Sequence, residues 1–141
     1  MDARRCPILP NVLQDIILAY LEDRELLPWI DESKLYWYYL CEHAPIEYLE
    51  QHMNKINWDM LSLNPAAIQL LTDNWNKINW GLISNNQAAI HIIEANLDKI
   101  DWSALSRNPA AIHLLEANPD KINWRSLSCN PAAIHLLEAN P

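Results

Sequence analysis

The sequence predicts an all-α fold, a solenoid of short helices built from 22-residue repeats and preceded by an N-terminal helical cap. Three observations carry this. The motif Lys-Ile-(Asn/Asp)-Trp recurs at Lys55–Trp58, Lys77–Trp80, Lys99–Trp102 and Lys121–Trp124, each 22 residues after the last. Asp98–Pro119 and Asp120–Pro141 agree at 18 of 22 positions. Each unit also carries an Asn just before an Ala-Ala-Ile stretch, in most units as Asn-Pro, which is helix-start punctuation. Self-similarity at a fixed period of this length marks stacked supersecondary units, each too small to bury its apolar face alone.

Taken in chain order, residues 9–30 read as helices outside the repeat. Leu13, Ile16, Ile17, Tyr20 and Leu21 share one face at i, i+3, i+4, i+7 spacing. Glu22-Asp23 begins a break, and Glu25-Leu26-Leu27 opens a second short element before Pro28. The stretch Lys34–Cys41 is dense in aromatics. Residues 31–53 read as a degenerate first unit, in which Lys34, Trp37, Leu40, Ile46 and Leu49 follow the pattern with a one-residue slip near Ala44. The chain therefore divides into an N-terminal helical segment, 1–42, and a repeat region, 43–141, with four full units from residue 54.

Within a unit, Asn130 is a helix N-cap and Pro131 takes the first helical position, where its missing N–H costs nothing. Residues 131–139 then read as a helix that is apolar on most sides, with Ile134 and Leu137 at i, i+3. Asn140-Pro141 ends it. At Asn86-Gln87 the Pro is missing, which leaves that start less fixed. The Lys-Ile-Asn-Trp half reads two ways. Asn123 can cap a short helix through Trp124 and Leu127, or Ile122 and Trp124 can alternate as in a strand. The second choice is similar to a leucine-rich repeat, an α/β solenoid, with Leu127-x-x-Asn130 at its Leu-x-x-Asn step. Asn-Pro-Ala-Ala favours the first, because it reads as a helix start rather than an Asn ladder. Trp58, Trp80, Trp102 and Trp124 are expected in a row in the core.

Charge narrows the partners. Residues 1–53 carry ten acids and four bases, and residues 54–141 carry eight acids and six bases, for a net charge of −8. No basic stripe exists to neutralise phosphates, which disfavours nucleic acid and anionic membrane surfaces. No apolar run reaches the roughly 18 residues of a membrane span. Residues 1–13 have no apolar stretch of the signal-peptide kind. Cys6, Cys41 and Cys129 are odd in number and far apart, as expected of reduced, packed thiols in the cytoplasm.

Candidate chemistry is sparse. His91, His113 and His135 recur at the repeat step, each with a carboxylate three residues on, at Glu94, Glu116 and Glu138. This pattern reads as a solvated helix face and a candidate partner-facing strip, not a metal site, because neighbouring units are too far apart for their imidazoles to share one ion. Ser62, Ser84, Ser106 and Ser128 recur just before the Asn cap, with no unique base beside any of them. The one glycine, Gly81, excludes a Gly-rich phosphate loop. No catalytic, cofactor or metal residue is nominated, and no enzyme is expected. The positions that differ most between the last two units are Ser103, Ala104 and Arg107 against Arg125, Ser126 and Cys129.

Two resemblances add to this reading. Leu9-Pro10-x-x-Leu13-x-x-Ile16-Ile17-x-x-Tyr20-Leu21, then Leu26-Leu27, then Trp37-x-x-Leu40, resembles a degenerate F-box over residues 8–42. That implies a three-helix module docking on the Skp-type adaptor of a cullin ubiquitin ligase, with Leu9, Pro10, Ile16, Leu21 and Leu26 on or near the docking surface. Pro28 and Asp31-Glu32 depart from the pattern. Residues 54–141 resemble tandem Asn-Pro-x-Ala-Ile-x-Leu-Leu arrays of large DNA viruses, which implies a viral protein at work in the host cytoplasm. The expectation is a protein–protein interaction module that recruits a ligase substrate. The alternative is an assembly protein that self-associates through its last repeat, whose apolar face has no polar cap.

Overall fold

The computed structural model describes residues 35–140, and every regular element among them is helical. The all-α expectation holds. The leucine-rich-repeat alternative does not, because no strand occurs among the described residues and Trp124 begins a helix instead.

Ten short α-helices alternate in two kinds. The first kind begins at the unit's Trp: α1 (Trp37–His43), α3 (Trp58–Leu61), α5 (Trp80–Ile83), α7 (Trp102–Leu105) and α9 (Trp124–Leu127). The second begins at its Ile: α2 (Ile46–Glu50), α4 (Ile68–Asp73), α6 (Ile90–Glu94), α8 (Ile112–Ala117) and α10 (Ile134–Glu138). The residues expected to open each Ile helix instead form a 3-10 turn, at Pro65–Ala67, Gln87–Ala89 and Pro109–Ala111. Proline supplies no contrast here. Asn86, which precedes Gln87, caps its turn as its counterparts do, accepting from the Ala88 N–H at 3.1 Å.

The Trp helices are four residues long in the full units, far too short to persist alone. They hold because their ends are capped. Asn57, Asn79 and Asn123 each accept one N–H from three residues on, and Asp101 accepts two. The cap itself needs only an acceptor, so Asp101 serves where the other units have Asn, although the Asn79 amide also donates to Asp59 Oδ1 at 2.7 Å. At the far end of each Ile helix a second Asn (Asn74, Asn96, Asn118, Asn140) turns its amide back onto the carbonyl four residues earlier. Asparagine thus closes the turns in a chain with a single glycine.

One hydrophobic core runs from Leu35 to Ala133. Leu61, Leu71, Ile83, Ile93, Leu105 and Leu115 are completely buried within it. The degenerate unit joins this core. Leu40, Cys41, Tyr48 and Leu49 are buried, and Trp37 stacks on Tyr48 with ring centroids 5.9 Å apart. Helix α1 continues through His43, so a division at residue 42 would cut it.

Candidate functional site

Successive units are joined by a buried seam that sorts residues into those that bind the chain to itself and those left free. A third Asn lies on it. Asn64, Asn86, Asn108 and Asn130 are at most 4% exposed. Each Oδ1 accepts from its own unit, from the N–H two residues on. The Nδ2 of Asn86 donates to Ser62 O and Asn64 O at 3.1 and 3.2 Å, and that of Asn130 donates to Ser106 O and Asn108 O. The position needs an acceptor and donors in one side chain, so Asp could not serve. An Asn ladder, which seemed the rival of a helix start, coexists with it in the same residue.

The recurrent serines bridge the seam. The hydroxyls of Ser62, Ser84 and Ser106 donate to the carbonyl of their own Trp at 2.6–2.9 Å. Each accepts the backbone N–H of the next unit's cap, at Asn79, Asp101 and Asn123, at 3.1 Å. In the degenerate unit Cys41 takes this place, its Sγ accepting from Asn57 N at 3.2 Å. Burial raises the Cys41 thiol pKa and the Asn57 N–H partly opposes that, so it is a packed group rather than a nucleophile. Cys129, expected to be packed, is exposed. The lysines of the motif also reach back. Lys55 lies over Trp37, Lys77 over Trp58, and Lys99 over Trp80, at 4.8, 5.8 and 5.1 Å from the ring centroids. Trp58, Trp80 and Trp102 are half-buried instead of lying fully in the core, and the first two share a ring face with a cation.

The His–Glu strip is real, but its pairing is not the one within a helix that the spacing suggests. His113 Nε2 meets Glu94 of the preceding unit at 2.6 Å, and His135 meets Glu116 at 2.8 Å. Both pairs are about half exposed, so each contributes at most about 1 kcal/mol. The residue in register for His91 is Thr72, whose hydroxyl turns to Ile68 O, and Gln69 bonds to Asp73 in its own helix. Among the described residues, no group of His, Cys, Asp and Glu is arranged to hold a metal ion. Leu9, Pro10, Ile16, Leu21 and Leu26 lie outside the described residues.

The remaining side chains of the Trp helices tell a different story. Counting the motif Lys as 1, positions 5, 6 and 9 differ in every full unit. They are Asp59, Met60 and Leu63, then Gly81, Leu82 and Asn85, then Ser103, Ala104 and Arg107, then Arg125, Ser126 and Cys129. Apart from Ala104 and Ser126 they are half or fully exposed. Between α5 and α7 these positions of two consecutive units form a cleft of about 430 Å³, with the caps Asn79 and Asp101 at its edge. Gly81 is the only glycine in the chain, yet it stands inside a helix, where it destabilises by about 1 kcal/mol relative to Ala. A Cβ there would meet nothing nearer than Asn79 Oδ1 at 3.4 Å. Backbone packing does not demand the glycine, whose missing side chain leaves the cleft open. Sequence comparison of the last two units pointed to Ser103, Ala104 and Arg107, and it missed Gly81, Leu82 and Asn85. The signal for Gly81 was its uniqueness in the chain.

The last unit differs in exposure. Trp124 is 40% and Ile134 61% exposed, where their counterparts in the full units are half-buried. No helix among the described residues is long and apolar enough to cross a membrane. No protein family, no curated protein and no solved structure matches this chain.

Proposed function

We propose that the units stack as an α-solenoid and that the chain is a protein-recognition module whose reading surface is the variable face of the Trp helices. The observation behind this reading is the partition of residues. The Lys, cap, Ser and Asn positions hold unit to unit, whereas positions 5, 6 and 9 change in every full unit and crowd around a cleft. Positions outside the repeated bonds between units, and gathered around one cleft, are the ones available to a partner. Recognition by a repeat array works through such a surface. In the extended form of the proposal, residues 8–42 are the F-box-like element that engages a Skp-type adaptor in the host cytoplasm, and the repeats select the ligase substrate. No catalytic role is assigned to any residue.

Two experiments test this. A photo-crosslinking amino acid placed at Leu63 or Asn85 of the full chain is expected to capture a partner in cells, and one at His91 is not. Crosslinks from His91 alone would move the reading surface to the His–Glu strip. Purified Skp-type adaptor is expected to bind the full chain and to be lost with Leu9→Asp and Leu21→Asp. No binding by the unsubstituted chain would remove the ligase role and leave the recognition module.

The exposed Trp124 and Ile134 favour a second reading, self-association through the last unit. Light scattering would then show mass rising with concentration, and Ile134→Glu would abolish the rise.

A further inference from the structure

We infer that the cleft between α5 and α7 binds an acidic segment of a partner polypeptide, seating an apolar side chain over Gly81 and a carboxylate against Arg107, with Arg125 available to a second acid. This deepens the reading of the variable face as the recognition surface and rests on it.

Three observations converge on that occupant. The first is the cleft floor. The only glycine in the chain lies on it, in a helix that the residue weakens and where a Cβ would fit, so the space is kept open at a cost to stability. Leu82 and Ala104 supply apolar lining.

The second is the accounting of cations. Among the described residues Lys55, Lys77 and Lys99 lie over tryptophan rings, and Lys121 is 3.8 Å from Asp120. Arg107 and Arg125 are both exposed, and neither has an ion pair or a cation–π contact among the described residues. In a chain of net charge −8, the two arginines without such partners both belong to the variable positions.

The third is complementarity. Guanidinium groups recognise carboxylates bidentately, and a shallow cleft with a small-residue floor accommodates extended chain. Two cations are too few to hold a nucleic-acid backbone. Asp101 also lines the cleft and would repel a carboxylate set beside it, which leaves Arg107 as the anchor, and Asp59 in the variable set would repel an acidic segment laid the wrong way.

The test pans a random short-peptide display library on the full chain and measures the recovered peptides, fluorescently labelled, by anisotropy. Peptides carrying Asp or Glu within a few residues of an apolar side chain are expected. Arg107→Glu should weaken them by on the order of tenfold. Gly81→Leu should weaken them by at least that, with an unchanged circular dichroism spectrum. Gly81→Ala is the milder check on folding, and it should raise the melting temperature while weakening the peptides severalfold. Recovered peptides without acids, or no recovered peptides, would overturn the inference. So would tighter binding of a phosphoserine version than of its Glu counterpart, which would reassign the cleft to phosphopeptides. Peptides that ignore Gly81→Leu and Arg107→Glu yet fail with Leu63→Asp would overturn the cleft and leave the variable face as the reader. Peptides that ignore all three would overturn both.

Discussion

The seam between units and the variable face share the Trp helices and the turns just after them, yet they obey opposite rules. On the seam each side chain is specified by how many bonds it must make. Asn86 makes three, one within its unit and two to the unit before. Ser84 makes two, one on either side of the junction. On the face, Gly81, Ser103 and Arg125 occupy one structural position with nothing in common in size or charge. Bonds made to the chain itself fix which residue a seam position takes, while the exposed positions carry no such demand from the chain. The chain's one glycine and the two arginines that have no ion pair or ring contact among the described residues belong to the second group.

If the comparison is right, substitutions on the seam should be costly. Asn86→Ala removes the donors to Ser62 O and Asn64 O, the second of which keeps the Ala67 N–H, and the acceptor of the Ala88 N–H, and should destabilise by about 2 kcal/mol. Asn86→Asp should cost at least as much, because it brings a charge and loses both donors. At Asn123, whose side chain only accepts, from the Ser126 N–H, Asn→Asp should fall within about 0.5 kcal/mol. Urea unfolding of the three variants measures this, and equal costs at both positions would break the distinction between them. Ser84→Ala comes next. It removes the acceptor of the Asp101 N–H and the hydroxyl donor to Trp80 O, and should cost about 1–2 kcal/mol.

A smaller effect is confined to high pH. Cys41 stands in the serine place, and burial raises its pKa above the ordinary 9.0. The folded state therefore favours the neutral thiol. That contribution is complete below the unfolded value and is lost as pH rises through the raised one. Cys41→Ser should leave stability near neutral pH almost unchanged and flatten its fall above about pH 9.0, as followed by thermal unfolding across pH. An identical alkaline fall in the variant would place its cause elsewhere.

Most of the architecture was legible because the repeat writes the same rules four times. The caps at Asn57, Asn79, Asp101 and Asn123, the Ile helices and the polar strip all follow from local chemistry at fixed spacing. What escaped was everything that depends on two units meeting. A spacing of i, i+3 joins His113 to Glu116 on paper, but the preceding unit brings Glu94 closer. The Asn of Asn-Pro can be read as a cap or as a ladder rung, and only the bonds between successive units reveal that its two ends serve both. The 3-10 turn at Pro65–Ala67 was hidden for a related reason, since Pro and Ala fit either helix and the Asn64 cap selects the tighter form. Leu9, Pro10, Ile16, Leu21 and Leu26 carry no test of this kind, because they precede the described residues.

The sharpest form of the comparison is the substitution that should do least to the fold. Arg107→Glu with Arg125→Glu replaces two exposed cations that take part in no ion pair or ring contact among the described residues. Stability should stay within about 0.5 kcal/mol, the range of surface changes away from buried networks. The same pair should remove an acidic partner. A stability loss comparable to Asn86→Ala would show that the arginines help hold the units together, and the division between seam and face would fail at its most exposed point. An unchanged fold with lost binding would place recognition on the residues that the stack itself does not use.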